Sequence, residues 1–452
     1  VRKIVPIFLI AVVALGAVVV LSVLRRDSKE TGATYAASSG ILIVGIDGLD
    51  WDRVNRLADE GRMPNLARLR EEGSSGVLHS VRPFVSPTIW TCIATGKTQE
   101  KHGIDGFVVN RPEGDEDKAL STSNMRKVKA IWQILSAAER TVGVIGWLVT
   151  YPADTVNGYL VSSHVTLALS RALDKRAPNQ TEEWLAEGVY PSDAWPEVVE
   201  NVFSEDDVGD DVIRSFIATT PTRAMEEEKI RTTSLKNFYA ADMTSLTLAR
   251  RLFKTRPADF NAVYYRGADM VSHFFWRFME PESWKKELSA QAVETFSPTV
   301  ERYYAFADSL LGETIKLVDD DTVVFLISDH GFAGHRGYRG FDGDVAIGIE
   351  MHREDGIVFM SGPGVERGGS IEGATVYDIA PTVLALSALP VARDMDGRPL
   401  TEALTGAFLD RHPVVYIDSY ELAGEPDGDL APVESPVDDE IKEMLRSLGY
   451  IN

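Results

Sequence analysis

The chain has a single cysteine, Cys92, in 452 residues, which excludes an intramolecular disulfide and a cysteine-rich zinc module. It is also poor in basic residues. Against 68 Asp and Glu stand 46 Lys and Arg, a formal charge of −22 that argues against a surface for the phosphate backbone of DNA or RNA. A phosphorylated substrate would have to be recruited by bound cations. Internal repeats are absent, and low complexity is confined to Gly32–Gly40 and to the acidic stretch Glu425–Asp439. Long apolar runs are absent with one exception, Ile4–Leu24. Its twenty-one uncharged residues would reach roughly 31 Å as a helix, about the hydrocarbon thickness of a bilayer. The run is too long for a cleavable signal and ends in Leu24-Arg25-Arg26, so an uncleaved single-pass anchor over residues 1–30 is expected. Arg2 and Lys3 on one side nearly balance Arg25, Arg26 and Lys29 on the other, which leaves the orientation open on charge alone.

With 44% hydrophobic residues, the remainder can bury a large core. A tether, residues 31–40, leads into Ile41–Ile46, a continuous apolar run of the kind found in strands buried on both faces. Similar runs recur at Val142–Ile145, Asn261–Tyr265, Thr322–Ile327 and Gly356–Met360, with helical stretches between them. The expected architecture is α/β around a largely parallel central sheet, occupying residues 41–405. Residues 166–255 read as a mostly helical insertion, taken as a cap beside the site. Residues 406–452 form a tail ending in a helix with Ile441, Met444, Leu445 and Leu448 on one face.

Candidate ligands cluster where these runs end. Asp47 closes ILIVGID, and Asp329 and His330 follow LIS at the end of another run, each with a glycine that permits a tight turn. Asp269 and His273 in GADMVSH are four apart and share a helical face, and His352 precedes GIVFMSGPG. Taken singly, each residue could be an ordinary turn or cap. In PFVSPTIWTCIATG, Ser86 suits an N-cap and Pro87 the first helical position, and a hydroxyl there beside a divalent cation would be a nucleophile.

Together with MPNLARLREEG, ATGKTQEKHGI, SDHGF and VYDIAPTVLALSALP, these fragments resemble the alkaline phosphatase superfamily, nearest the type I phosphodiesterase/nucleotide pyrophosphatase group, over about Ile41–Leu404. The resemblance implies a three-layer α/β/α sandwich and a metal-dependent phosphoric ester hydrolase of phosphodiesterase or pyrophosphatase type. It implies one metal held by Asp47, Ser86, Asp329 and His330, and a second held by Asp269, His273 and His352, with His335 as the runner-up for the last place. The group's nucleophile lies ten residues before the glycine of a Thr-Gly pair, and counting back from Gly96 gives Ser86; Thr88 would need a shift of two. Mixed His and Asp ligands favour Zn²⁺, then Mn²⁺, over Mg²⁺ or Ca²⁺. Sulfatase chemistry is disfavoured, because Pro87 follows Ser86 and Trp90 stands at the arginine position of that pattern. The phosphoryl-binding asparagine of the nucleotide pyrophosphatases is replaced by Phe107, with Asn110 as a weak substitute. The resemblance favours an extracytoplasmic catalytic domain in the cell envelope. The alternatives are a phosphomonoesterase, a membrane-anchored phosphotransferase and a non-catalytic anchored binding protein.

Overall fold

The computed structural model describes residues 40–110, 118–166, 186–219, 226–283, 288–333, 351–421, 430–435 and 437–447. The expected span at Ile4–Leu24, most of the tether, His335 and Leu448 lie outside them. Among the described residues no helix is long and apolar enough to cross a membrane.

Ten strands form the main sheet among the described residues. They are β1 (Gly40–Ile46), β2 (Gly73–His79), β3 (Val142–Ile145), β4 (Gly158–Val161), β5 (Val189–Tyr190), β6 (Phe260–Tyr265), β7 (Thr322–Ser328), β8 (Asp355–Ser361), β9 (Gly369–Ser370) and β10 (Ala374–Thr375). In the order β7-β1-β6-β3-β4 the strands run parallel. β8 is antiparallel to both β7 and β2, and β5 is antiparallel to β4, so the sheet is mixed. Because β8 opposes both its neighbours, β2 runs with the parallel set, as do β9 and β10, so the sheet is largely parallel as expected, with β8 and β5 as its antiparallel members. The run in β8 is covered on both faces like its parallel neighbours, so its apolar pattern carries no sign of direction.

Each central strand feeds two cores alternately. Leu42, Val44 and Ile46 of β1 join Val324 and Leu326 of β7 on one face, and Ile41 and Ile43 join Val323, Phe325 and Ile327 on the other. Helices α1 (Trp51–Asp59), α2 (Pro64–Glu72), α4 (Glu226–Thr255), α5 (Gly267–Met279) and α6 (Thr299–Ile315) cover the first face. Helices α3 (Ser86–Thr95) and α7 (Ile379–Leu386) cover the second, which completes three layers. Between 186 and 255 the described residues are mostly helical, and Phe216, Leu235, Phe238 and Leu246 among them belong to the first core. The final helix, α8 (Asp438–Ser447), packs Ile441 and Leu445 against Leu120.

Gly45 in β1 shows how tightly the second face is filled. A Cβ there would stand 2.7 Å from the Trp90 ring, well inside contact distance. Gly45→Ala is expected to lower stability by about 1–3 kcal/mol, the usual cost of overfilling a packed core. A urea titration with an unchanged midpoint would contradict this packing.

Candidate active site

The parallel register gathers the predicted residues. Gly45 pairs with Ile327 and Ile46 with Tyr265, so the chain leaves β1, β7 and β6 at one carboxyl edge. Asp47 leaves β1 there with Asp329 and His330 beside it. Helix α5 starts two residues after β6, and its first two turns carry Asp269 and His273. His352 reaches the same point on the short strand His352–Arg353, which pairs antiparallel with Gly331–Phe332 just beyond β7. All six residues are buried.

Two groups of ligand atoms result. In the first, His330 Nε2 lies 3.3 Å from Asp47 Oδ1, 3.4 Å from Asp329 Oδ2 and 3.4 Å from Ser86 Oγ. In the second, Asp269 Oδ1 lies 3.3 Å from both His273 Nε2 and His352 Nε2, which are 3.0 Å apart. The groups abut: the His330 and His352 rings stack with centroids 3.6 Å apart, and Asp269 Oδ1 is 4.0 Å from His330 Nε2. Donors about 2.0–2.1 Å from a tetrahedral ion sit roughly 3.3 Å from each other, which is the spacing found in both groups. Among the described residues, the buried Asp47 Oδ1 and both Asp329 carboxylate oxygens have no hydrogen-bond partner. Buried carboxylate oxygens in that condition are costly unless a cation neutralises them. The residues present therefore fit divalent cations.

Neighbouring groups aim these donors. Tyr264 Oη and Trp90 Nε1 both donate to Asp47 Oδ2, which turns Oδ1 toward His330. His352 Nδ1 donates to the Phe84 carbonyl at 2.9 Å and His330 Nδ1 to that of Gly331 at 3.1 Å, so each presents Nε2 to the cluster. Gly48 has φ +73°, and a Cβ there would stand 2.8 Å from Asp269 Cα, so the turn after Asp47 requires glycine. Asp242 of α4 fixes the start of α5, its Oδ1 accepting from the Arg266 and Gly267 amides at 3.0 and 3.1 Å. Tyr264→Phe is expected to weaken metal binding about 10–100-fold, the usual effect of deleting a group that orients a ligand. Competition with a chromogenic chelator measures it, and unchanged affinity would remove Tyr264 from this role.

Charge in the cluster is unbalanced without a cation. Burial lowers the His330 imidazole, but the Asp329 and Asp47 carboxylates, with Asp269 beyond them, override it and push its pKa up to about 10. Burial and the adjacent Asp47 raise Asp329 well above the usual carboxylate range. His352, buried and next to His330, is pulled down to about 4. The cluster therefore retains protons that a cation would displace.

Ser86 opens α3, and the N-cap position falls to Val85, one residue earlier than expected. The Ser86 hydroxyl makes no capping bond and faces His330. Thr88 lies two residues further on, roughly half a turn round the helix, and donates to the Ile104 carbonyl. Asn110 is exposed and is not among the residues lining the adjacent pocket, whereas Phe107 is. That pocket has Asp47, Ser86 and Asp269 on its wall. The described residues of 186–255 contribute none of its lining; α8 does, through Ile441, Met444 and Leu445. Two further polar lining residues, Arg266 and His164, were not singled out in the sequence. Their position was the available signal, since Arg266 directly follows β6 and His164 lies three residues past β4, both at the carboxyl edge where the ligands gather.

Residues 41–368 match the family model described as type I phosphodiesterase / nucleotide pyrophosphatase. Among solved structures the chain is similar to a murine ectonucleotide pyrophosphatase/phosphodiesterase 5 in complex with AMP, at 12% identity over 81% of this chain and 100% of that one, TM-score 0.46. It is also similar to a phosphonate monoester hydrolase from Silicibacter pomeroyi, at 17% identity over 81% and 77%, TM-score 0.43. A phosphonoacetate hydrolase from Sinorhizobium meliloti is similar at 17% identity over 66% and 57%, TM-score 0.37. Among curated proteins, none matches the chain.

Proposed function

This chain belongs to the type I phosphodiesterase/nucleotide pyrophosphatase family, and from that premise we propose that it hydrolyses phosphodiesters with Ser86 as nucleophile over a pair of divalent cations. The protein is a hydrolase acting on phosphate esters. The observation that carries the finer reading is the pair of abutting donor groups, at tetrahedral spacing, with the Ser86 hydroxyl on the edge of the first.

Asp47, Ser86, Asp329 and His330 would hold one cation, and Asp269, His273 and His352 the other. Their mixture of imidazole and carboxylate favours Zn²⁺, with Mn²⁺ second. When bound, such a pair offsets the negative charge on the phosphoryl oxygens and on the attacking and leaving oxygens. The chain does the rest by position. Helix α3 turns its N-terminus toward the Ser86 hydroxyl and the incoming anion, where its dipole favours negative charge. Ser86 Oγ bonds to phosphorus as the bond from phosphorus to one ester oxygen breaks; that oxygen leaves as the alcohol, taking up a proton to replace the one Ser86 gives up, and the second ester group stays on the seryl phosphodiester. Water then cleaves the bond between phosphorus and Ser86 Oγ, returning a proton to the hydroxyl and releasing the phosphomonoester. Thr88, engaged with Ile104, is less free to act in this way.

The run Ile4–Leu24 is read as the membrane anchor, holding the catalytic domain on the extracytoplasmic side. The test compares bis-p-nitrophenyl phosphate with p-nitrophenyl phosphate, using the full-length chain in mild detergent, metal-stripped and refilled with Zn²⁺ or Mn²⁺. Activity that returns with metal and favours the diester is the expected result. Preference for the monoester would replace this reading with a phosphomonoesterase.

A further inference from the structure

The matched family region ends at residue 368, yet one wall of the pocket comes from residues 437–447. Helix α8 turns Ile441, Met444 and Leu445 toward the space above Asp47, Ser86 and Asp269. Leu120, Leu148 and Met270 face the same space from other elements. The segment leading into α8 is fastened in place. Asn124 Nδ2 donates to the Ala431 carbonyl at 2.7 Å, and the Val433 amide donates to Thr122 Oγ1 at 3.3 Å. The Ser435 hydroxyl donates to Asp438 Oδ1 at 2.6 Å and accepts from His164 Nδ1 at 3.2 Å, while the His164 ring stacks on Tyr151 with centroids 4.5 Å apart.

Several polar groups on this lining are engaged by the protein, and the Arg266 guanidinium, which also lines it, directs Nη2 at the Met444 sulfur. Ser121 Oγ donates to the Gly106 carbonyl, Tyr264 to Asp47, and His164 to Ser435. A phosphoryl group seated at Ser86 would send its ester substituent upward between apolar side chains, where a sugar or a base edge would lose water partners without full replacement.

We propose that α8 is a specificity wall, and that it fits this site to phosphate esters of an apolar alcohol. The proposal rests on the functional reading above for where the phosphoryl group sits. A hydrocarbon chain and an aromatic ring satisfy it equally, and the two sources are separated by experiment.

The test is calorimetric binding of methyl, butyl and hexyl phosphate, phenyl phosphate and thymidine 5′-monophosphate to the full-length, Mn²⁺-loaded protein. Burying each methylene should tighten binding about three- to fourfold, so hexyl phosphate, five methylenes longer, is expected to bind on the order of 10²–10³-fold more tightly than methyl phosphate. Phenyl phosphate above hexyl would identify an aryl alcohol, and hexyl above phenyl a chain. Met444→Ser should cut the hexyl-to-methyl ratio about tenfold, as should Ser435→Ala, which loosens the segment without touching the lining. A flat wild-type series, thymidine monophosphate binding more tightly than hexyl phosphate, or a ratio unmoved by both variants would overturn the proposal. Turnover of bis-p-nitrophenyl phosphate in the same preparations keeps the two readings apart. A rising series without turnover would sink the hydrolytic reading and leave the wall, and turnover with a flat series would do the reverse.

Discussion

Ser86→Ala is expected to lower turnover at least about 1,000-fold while leaving the fold intact. Ser86 is buried at the start of α3, and its hydroxyl is spent on no cap, so alanine removes no structural bond there. Alanine is also the best helix former, and the lost oxygen leaves a space too small to disturb Pro87 or Trp90. What disappears is the hydroxyl 3.4 Å from His330 Nε2, on the edge of the first donor group. Thr88→Val makes the comparison. Its hydroxyl serves Ile104, so that variant should stay within about tenfold of the parent. Steady-state kinetics at saturating metal decide between them, with metal content measured on each protein. A Ser86→Ala protein within tenfold of wild type would move the nucleophile to Thr88 or to water.

Stripping the metal is expected to abolish turnover and to lower the melting temperature by on the order of 5–10 °C, both restored on refilling. Asp47, Asp269 and Asp329 converge with their oxygens in reach of shared imidazoles, and ligands that bind only the folded state stabilise it by several kcal/mol at saturation. In a chain of this size one kcal/mol moves the midpoint by about 2 °C or less, which sets the scale. The pH dependence has a definite sign. Without a cation His330 keeps its proton up to about 10, so loading must expel that proton throughout the neutral range. Affinity should therefore rise about tenfold per pH unit for each proton displaced, and should fall on acidification. Differential scanning calorimetry and metal titrations at several pH values test both statements. An unshifted melting temperature would mean that these residues form an ordinary buried ion-pair network.

The strands and the donor residues were legible because both rest on local pattern. Val323–Ile327 reads as a buried strand by composition alone, and Asp329-His330-Gly331 at its end follows from the rule that parallel sheets gather ligands at the carboxyl edge. Three features were not legible. The antiparallel course of β8 leaves no trace in a run covered on both faces. The shift of the cap from Ser86 to Val85 is a one-residue matter of backbone geometry, which N-cap preferences do not resolve. The wall built by α8 depends on Ser435 meeting His164, 271 positions away, and on Leu445 meeting Leu120, contacts that no local periodicity encodes. His164 likewise carries no local mark of its role in holding the segment that closes the pocket.

The paired cation site is best tested by titrating Zn²⁺ or Mn²⁺ into the stripped full-length protein while following hydrolysis of bis-p-nitrophenyl phosphate. Two abutting donor groups predict activity that climbs until two equivalents are bound and then levels off. Activity complete at one equivalent, or already present before any metal is added, would contradict the paired site.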